Sequence, residues 1–355
     1  MSGGITQLVA VGAQDTHLVG SPEVSFFQSS YKRHTNFSGV IERQVIQNTP
    51  ANNGLSSIRF ERKGDLLSYV YLVVTDANGH IVSPTWNTVV DKLELYIGGQ
   101  LIDTQHYEYS TSIHTDTMAN SFSKGVYGSG PNGAGADAVT QWYPMKFWFC
   151  ENWQSALPLI ALQYHDVEVR IYWGSNIAGG ALGTGVQAWS RYIYLDTDER
   201  RMMAEKSMDY LIHQVQRIPA PSALSVDLTF NHPVKFIASA GAVFDNKGNK
   251  VLLQLNGVDV GEKKESNVHY NHVSAYYHTQ FATNTTAPDN GFQSVTLMIP
   301  FCLDAPKLQP TGTCNFSRMD SARLISDANI EGAIYAVNYN ILRVQNGMGG
   351  LLYAN

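Results

Sequence analysis

Phe149-Cys150-Glu151-Asn152-Trp153-Gln154-Ser155-Ala156-Leu157-Pro158 decides how this chain is read, because Phe301-Cys302 and Pro310 repeat its spacing 152 positions later. A match this short becomes informative through its surroundings. Upstream of the first copy, Leu93-Glu94-Leu95-Tyr96-Ile97 runs into Gly98-Gly99; upstream of the second, Val251-Leu252-Leu253-Gln254-Leu255 runs into Asn256-Gly257. Both dipeptides suit tight hairpins, whose two central residues need positive φ. Downstream, Asp166-Val167-Glu168-Val169-Arg170-Ile171 has a counterpart in Asp320-Ser321-Ala322-Arg323-Leu324-Ile325. The pattern predicts one β-rich unit used twice in tandem. Each Phe-Cys copy reads as a structural corner, with ring and thiol buried and Pro ending a strand or opening a loop.

The length of 355 residues suits two domains of ordinary size. Hydrophobic residues make up 44% and charged residues 15%, which allows a core in each half and argues against disorder. Thirty Gly, nineteen Tyr and fourteen Phe favour strands joined by turns, so the fold class is all-β. A net charge of −6 argues against a protein that coats nucleic acid, since phosphate binding needs a concentrated Lys/Arg surface. Cys150, Cys302 and Cys314 are too few and odd in number for a disulfide framework, and fit buried thiols made in a reducing compartment. No run approaches the ~20 apolar residues that span a bilayer. Met1-Ser2-Gly3-Gly4 lacks the features of a secretory signal, so the expectation is a soluble chain, intracellular when made.

Along the chain, residues 1–21 have little periodicity and read as an arm. Strand-like material is expected from Pro22, through Val24-Ser25-Phe26-Phe27 to Phe37, and Ile58-Arg59-Phe60-Glu61-Arg62 alternates as a half-buried strand does. Leu66 to Val74 is apolar enough for a strand buried on both faces, and Thr111 to Phe122 suits a short helix. Two Gly-rich tracts, Gly125 to Gly135 and Gly174 to Gly185, read as surface loops at one end of the first half. Asp196 caps a short helix with acids in its first turn, and so marks a connector over 197–207. The first domain then covers 22–196 and the second 208–355. Tyr339 to Leu342 echoes Tyr192 to Leu195, so both halves close on a similar strand, with room for about eight strands each, the count of a jelly roll.

Candidate chemistry is thin. His269, His272 and His278 with Glu265 cluster without any zinc spacing and are interleaved with Tyr270, Tyr276 and Tyr277, which favours a polar segment with aromatic anchors. His165-Asp166 and Glu168 suggest paired carboxylates, yet Val167, Val169 and Ile171 alternate with them as in an ordinary half-exposed strand. Tyr31-Lys32-Arg33-His34 is a small basic cluster that fits a solvated strand end or a pairing surface between subunits. Asn36, Asn284 and Asn315 head glycosylation sequons. No nucleophile elbow, phosphate loop, dinucleotide fingerprint or metalloprotease motif appears, so neither a catalytic residue nor a cofactor or metal site is assigned.

Three stretches resemble a known family. Gly4-Ile5-Thr6-Gln7-Leu8-Val9-Ala10-Val11-Gly12-Ala13-Gln14-Asp15 with Tyr31 to Phe37, Leu195 to Arg201 with Tyr210-Leu211-Ile212, and Asn338 to Arg343 with Gly347 to Leu351 are similar to major capsid proteins of nucleocytoplasmic large DNA viruses. The resemblance implies a tandem double jelly roll of two eight-stranded sandwiches, and a homotrimeric, pseudo-hexagonal capsomer in an icosahedral virion assembled in the host cytoplasm. It implies no enzyme activity. It places Gly125 to Gly135, Gly174 to Gly185 and Thr283 to Asn290 on the exterior. Residues 1–21 fall at the inner base, towards minor capsid proteins or an internal membrane layer. Trp142, Tyr143, Trp148, Trp153 and Trp189 are candidate anchors between subunits, with filling of the sandwich cores as the other role open to them. The competing reading is a carbohydrate-binding or carbohydrate-cleaving jelly roll, which would act as a monomer.

Overall fold

The structure is a computed structural model that describes residues 3–9, 12–76, 78–82, 84, 86–121, 123–125, 141–175, 177, 185–244, 246, 248–280 and 296–353. The chain divides into two compact units, Met1–Asn36 and Phe37–Asn355. Within the first, helix Gly3–Val9 is followed by the turns Ala13–Asp15 and Thr16–Val19, and the Asp15 carboxylate accepts the Gly12 N–H at 2.7 Å. The strand expected from Pro22 is absent among the described residues, and the first strand begins at Phe37. Ser25 explains why: its carbonyl accepts the Gln28 N–H and its hydroxyl the Phe27 N–H, turning the short apolar run back before it can extend.

Among the described residues, the second unit contains four antiparallel sheets. In the first sandwich one sheet has the order Phe37–Gln44, Gly185–Leu195, Leu66–Thr75, Ile81–Val82, and Trp142–Pro144 and Leu157–Pro158 also pair with Leu66–Thr75. The opposing sheet runs Ile46–Gln47, Leu55–Arg59, Val167–Trp173, Val90–Ile97, Gln100–His106. The second sandwich repeats this plan. Met208–Ile218, Ile334–Gln345, Pro233–Ser239 and Leu297–Pro300 form one sheet, with Cys314–Asn315 on Pro233–Ser239 and Met348–Leu351 on Ile334–Gln345. Ala223–Asp227, Ala322–Ile330, Lys250–Leu255 and Val258–Asp259 form the other, with Lys264–Glu265 on Lys250–Leu255. The fold is a double jelly roll with few, short helices.

Sequence pattern accounts for these elements locally. Val167, Val169, Ile171 and Trp173 point into the core while Glu168, Arg170 and Tyr172 are half-buried on the other face, the period-two alternation of a strand covered on one side. Leu66–Thr75 is buried at eight of ten positions, so it is covered on both faces. Both predicted hairpins adopt the conformation their dipeptides allow, with φ of 58° and 81° at Gly98-Gly99 and 51° and 76° at Asn256-Gly257. The helix Thr197–Glu205 starts after Asp196, whose carboxylate accepts the Thr197 N–H at 2.8 Å.

The Phe-Cys copies occupy matching corners. Each lies between two short strands that pair with the same long strand: Trp142–Pro144 and Leu157–Pro158 on Leu66–Thr75, and Leu297–Pro300 and Cys314–Asn315 on Pro233–Ser239. Phe149 is fully buried and Cys150 partly so; in the second copy Cys302 is buried and Phe301 packs half-buried on Phe316. The prolines differ, Pro158 lying in a strand and Pro310 in an exposed loop.

Candidate functional site

The two sandwiches are joined along a seam. From the first come strand Gln100–His106 and a helical segment, a π-turn Tyr109–Ile113 running into an α-turn His114–Thr117. From the second comes the outward face of the sheet holding Met208–Ile218, Ile334–Gln345 and Pro233–Ser239. Strand alternation builds that face: Ile237 and Ala336 point into their own sandwich, so Phe236, Ala238, Tyr335 and Val337 point out and meet Tyr109, Ile113 and Met118.

Polar groups fix the register across the seam. Gln214 Nε2 donates to Ile102 O at 2.5 Å, and the Val215 N–H donates to Asp103 Oδ1 at 2.8 Å. Tyr335 OH donates to Glu108 Oε2 at 2.9 Å while accepting from Arg217 Nε at 3.2 Å. Thr296 Oγ1 donates to Asp116 Oδ2 at 2.7 Å. The C-terminal hairpin adds a clasp, with Gly347 O accepting the Tyr164 N–H at 2.9 Å and His165 Nδ1 lying 2.8 Å from Gly349 O.

Enclosure shifts the titrating groups here. Burial pushes the Asp103 carboxyl up to about 7, although Val215 and Gln105 hydrogen-bond to it. Burial lowers His106 to about 4, helped by the Arg217 charge, and lowers His114 to about 4 against the pull of Glu151. Lys235 is fully buried, which lowers it to about 8, and its ammonium lies 5.4 Å from the Tyr339 ring centre. Such a set packs ionisable groups between the two bodies, where burial shifts each towards its uncharged form.

The five candidate anchors separate by position. Tyr143 and Trp148 fill the first core, Tyr143 packing 5.4 Å from Trp86 and Trp148 5.4 Å from Phe149. Trp153 is 76% exposed. Trp142 and Trp189 are half-buried on the outward face of the first sandwich, beside Tyr71, where a cleft of about 510 Å³ is lined by Ile41, Tyr69, Tyr71, Trp142, Lys146 and Glu151. Asn36 ends the first unit, and Asn315 is exposed with its Oδ1 accepting the Ser317 N–H at 3.0 Å. Asn284 and the tracts 126–135, 178–184 and 283–290 lie outside the described residues.

The histidine cluster does not converge. His278 Nδ1 lies 2.9 Å from Cys302 O, Glu265 accepts the Gly248 N–H, and among the described residues no group of three or more His, Cys, Asp or Glu is arranged to hold a metal. Asp166 pairs with Arg59 and Glu168 with Arg170. The seam residues Asp103, Tyr109, Gln214 and Tyr335 were not singled out by sequence pattern. No local signal marks them: Asp103 lies in the polar strand Gln100–His106, next to Gln105 on the same face.

Comparison with known proteins fits this architecture. Residues 25–196 match the family described as major capsid protein N-terminus, and residues 246–350 match that described as large eukaryotic DNA virus major capsid protein. The chain is 36% identical to the major capsid protein of Pyramimonas orientalis virus and 30% identical to that of Paramecium bursaria Chlorella virus 1, with 100% of both chains covered in each case. Among solved structures, the PBCV-1 virus capsid matches with a TM-score of 0.73 at 25% identity, covering 93% of this chain and 100% of that one. The Faustovirus major capsid protein matches with a TM-score of 0.62 at 11% identity over 94% of each chain, a likeness of fold alone.

Proposed function

We propose that this chain, which belongs to the major capsid proteins of large eukaryotic DNA viruses, forms a homotrimeric capsomer of pseudo-hexagonal outline, the repeating tile of an icosahedral shell. It is a structural protein of the virion and not an enzyme, as its relatives are capsid proteins. The observation that carries the capsomer reading is the duplication itself. Two sandwiches of the same strand order, locked by a hydrogen-bonded seam, make one chain a rigid pair of similar bodies, so three chains in a ring offer six similar faces to neighbouring tiles.

In this reading 22–196 and 208–355 are the two jelly rolls, 197–207 connects them, and residues 1–21 reach minor capsid proteins or an internal membrane layer. Gly125 to Gly135, Gly174 to Gly185 and Thr283 to Asn290 face outward, the sequons at Asn36, Asn284 and Asn315 are available for modification, and assembly takes place in the host cytoplasm without direct binding of nucleic acid. Native mass measurement on the purified protein tests it. A trimer is expected, and a stable monomer that binds glycans would replace the capsomer with the carbohydrate-binding reading.

A further inference from the structure

The helical segment that closes the seam has a counterpart in the second sandwich whose Tyr276 and Tyr277 rings stand exposed among the described residues. Both run a π-turn into an α-turn, Tyr109–Ile113 into His114–Thr117 and Asn267–Val273 into Ser274–His278. In the first, Tyr109, Ile113 and Met118 are buried against the other sandwich. In the second, Tyr276 is 79% exposed and Tyr277 70% exposed, Val268 and Val273 are exposed beside them in sequence, and Leu303 of the neighbouring corner is 73% exposed. His278 contacts the Leu303 carbonyl, so helix and corner are adjacent. Apolar side chains gathered in this way on a surface mark a contact.

The receiving face is duplicated as well, and strand register identifies its residues. Phe236 lies beside Val337 on one side and Pro300 on the other. Tyr71 lies in the same way beside Trp189 and Pro144. Two residues along, Ala238 faces Met298 as Val73 faces Trp142. Phe236, Val337 and Met298 are covered by Tyr109, Ile113 and Met118 within the chain. Their equivalents Tyr71 and Trp142 are only half-buried and line the open cleft of about 510 Å³, and Trp189, also half-buried, pairs with Tyr71 on the adjoining strand.

We propose that this cleft face receives the helical segment Asn267–His278 of a second copy of the chain, repeating between chains the seam that exists within each. The inference rests on the trimeric reading above and names its contact surfaces. Donor segment and receiving face lie on different sandwiches, so the contact is head-to-tail, and alternating internal and intermolecular seams close a ring at three copies. The residue types agree with this. The internal seam uses Ala238 and Val337, whereas the open face offers Trp and Tyr, the side chains that dominate binding between separate molecules.

The test uses full-length protein carrying Trp189→p-benzoylphenylalanine, prepared as an equal mixture of ordinary and heavy-nitrogen-labelled chains, with native mass spectrometry before irradiation. Crosslinks of mixed isotope composition from position 189 to peptide 267–280 are expected. The double variant Tyr276→Glu, Tyr277→Glu, which removes two exposed rings that meet edge-on 4.8 Å apart, should keep its circular dichroism spectrum while association weakens by about a hundredfold. If trimers form but position 189 links elsewhere, or only within its own chain, for instance to residues 1–36, the pairing is wrong and the trimer stands. If no trimer forms in the unsubstituted protein, both readings fall.

Discussion

Asp103 is the residue at which the duplication meets electrostatics. It sits where the first sandwich touches the second, and its carboxylate holds the Val215 N–H and Gln105 Nε2 with almost no access to water. Because burial raises it from 3.8 to about 7, between roughly pH 4 and 7 the folded chain keeps a proton that the unfolded chain has lost. Its contribution to stability is therefore full below about pH 4 and lost as pH rises through 7. His106 and His114 act in the opposite sense: lowered from 6.5 to about 4, they are neutral in the fold where the unfolded chain is charged, so stability grows as pH rises through that window. Asp103→Asn removes only the first trend. Thermal melts should show the variant gaining on the parent protein from about pH 4.5 to pH 7 and levelling off above, by an amount on the order of 4 kcal/mol. Two parallel profiles would mean that Asp103 ionises as an ordinary carboxylate.

At the scale of elements, the hairpins were legible because turn geometry is a local property. Gly-Gly and Asn-Gly accept two successive positive φ values, and the same signal at Asn346-Gly347, with φ of 52° and 78°, produces the terminal strand Met348–Leu351 that the reading of the ending as one closing strand left out. The helix Thr197–Glu205 was legible for the same reason, through the Asp196 cap. The segment after Pro22 was misread because alternation over four residues carries little weight against the turn at Ser25. The burial of Tyr109 to Thr117 was out of reach altogether, since it depends on a sheet more than a hundred residues away. Gly98 shows how local and distant demands meet in one turn. Both Gly98 and Gly99 have positive φ, but an added Cβ at Gly98 would lie 2.3 Å from His165 Nδ1, whereas at Gly99 it meets nothing within 4 Å. Gly99→Ala should cost only the left-handed backbone strain, ~1–2 kcal/mol. Gly98→Ala should cost a further ~1–3 kcal/mol by displacing His165 from the C-terminal hairpin. Urea titrations of the two variants measure the difference, and equal midpoints would show that His165 yields freely.

For the molecule as a whole, the 152-residue offset of the Phe-Cys corners was enough to reveal one fold used twice, while the offset between the hairpins, Gly98-Gly99 to Asn256-Gly257, is 158 because loops of different length intervene. What repetition could not reveal is that the halves share parts of their cores. Ile212, Leu342 and Val344 of the second half belong to the core of the first, and Tyr109, Ile113 and Met118 of the first belong to a core shared with the second. A contact of this kind couples the two unfolding reactions, because exposing either face strips apolar cover from the other. Calorimetry at fixed protein concentration should therefore give one transition for both sandwiches. Tyr109→Ala, which empties the centre of the shared core, should cost ~3–5 kcal/mol. It should also speed hydrogen exchange at Leu95 and at Leu253, which lie in separate sandwich cores away from position 109. If exchange rose only around Tyr109, or the parent protein melted in two steps, the seam would be an ordinary domain contact, and the rigidity that the six-faced tile requires would have to come from assembly with other copies.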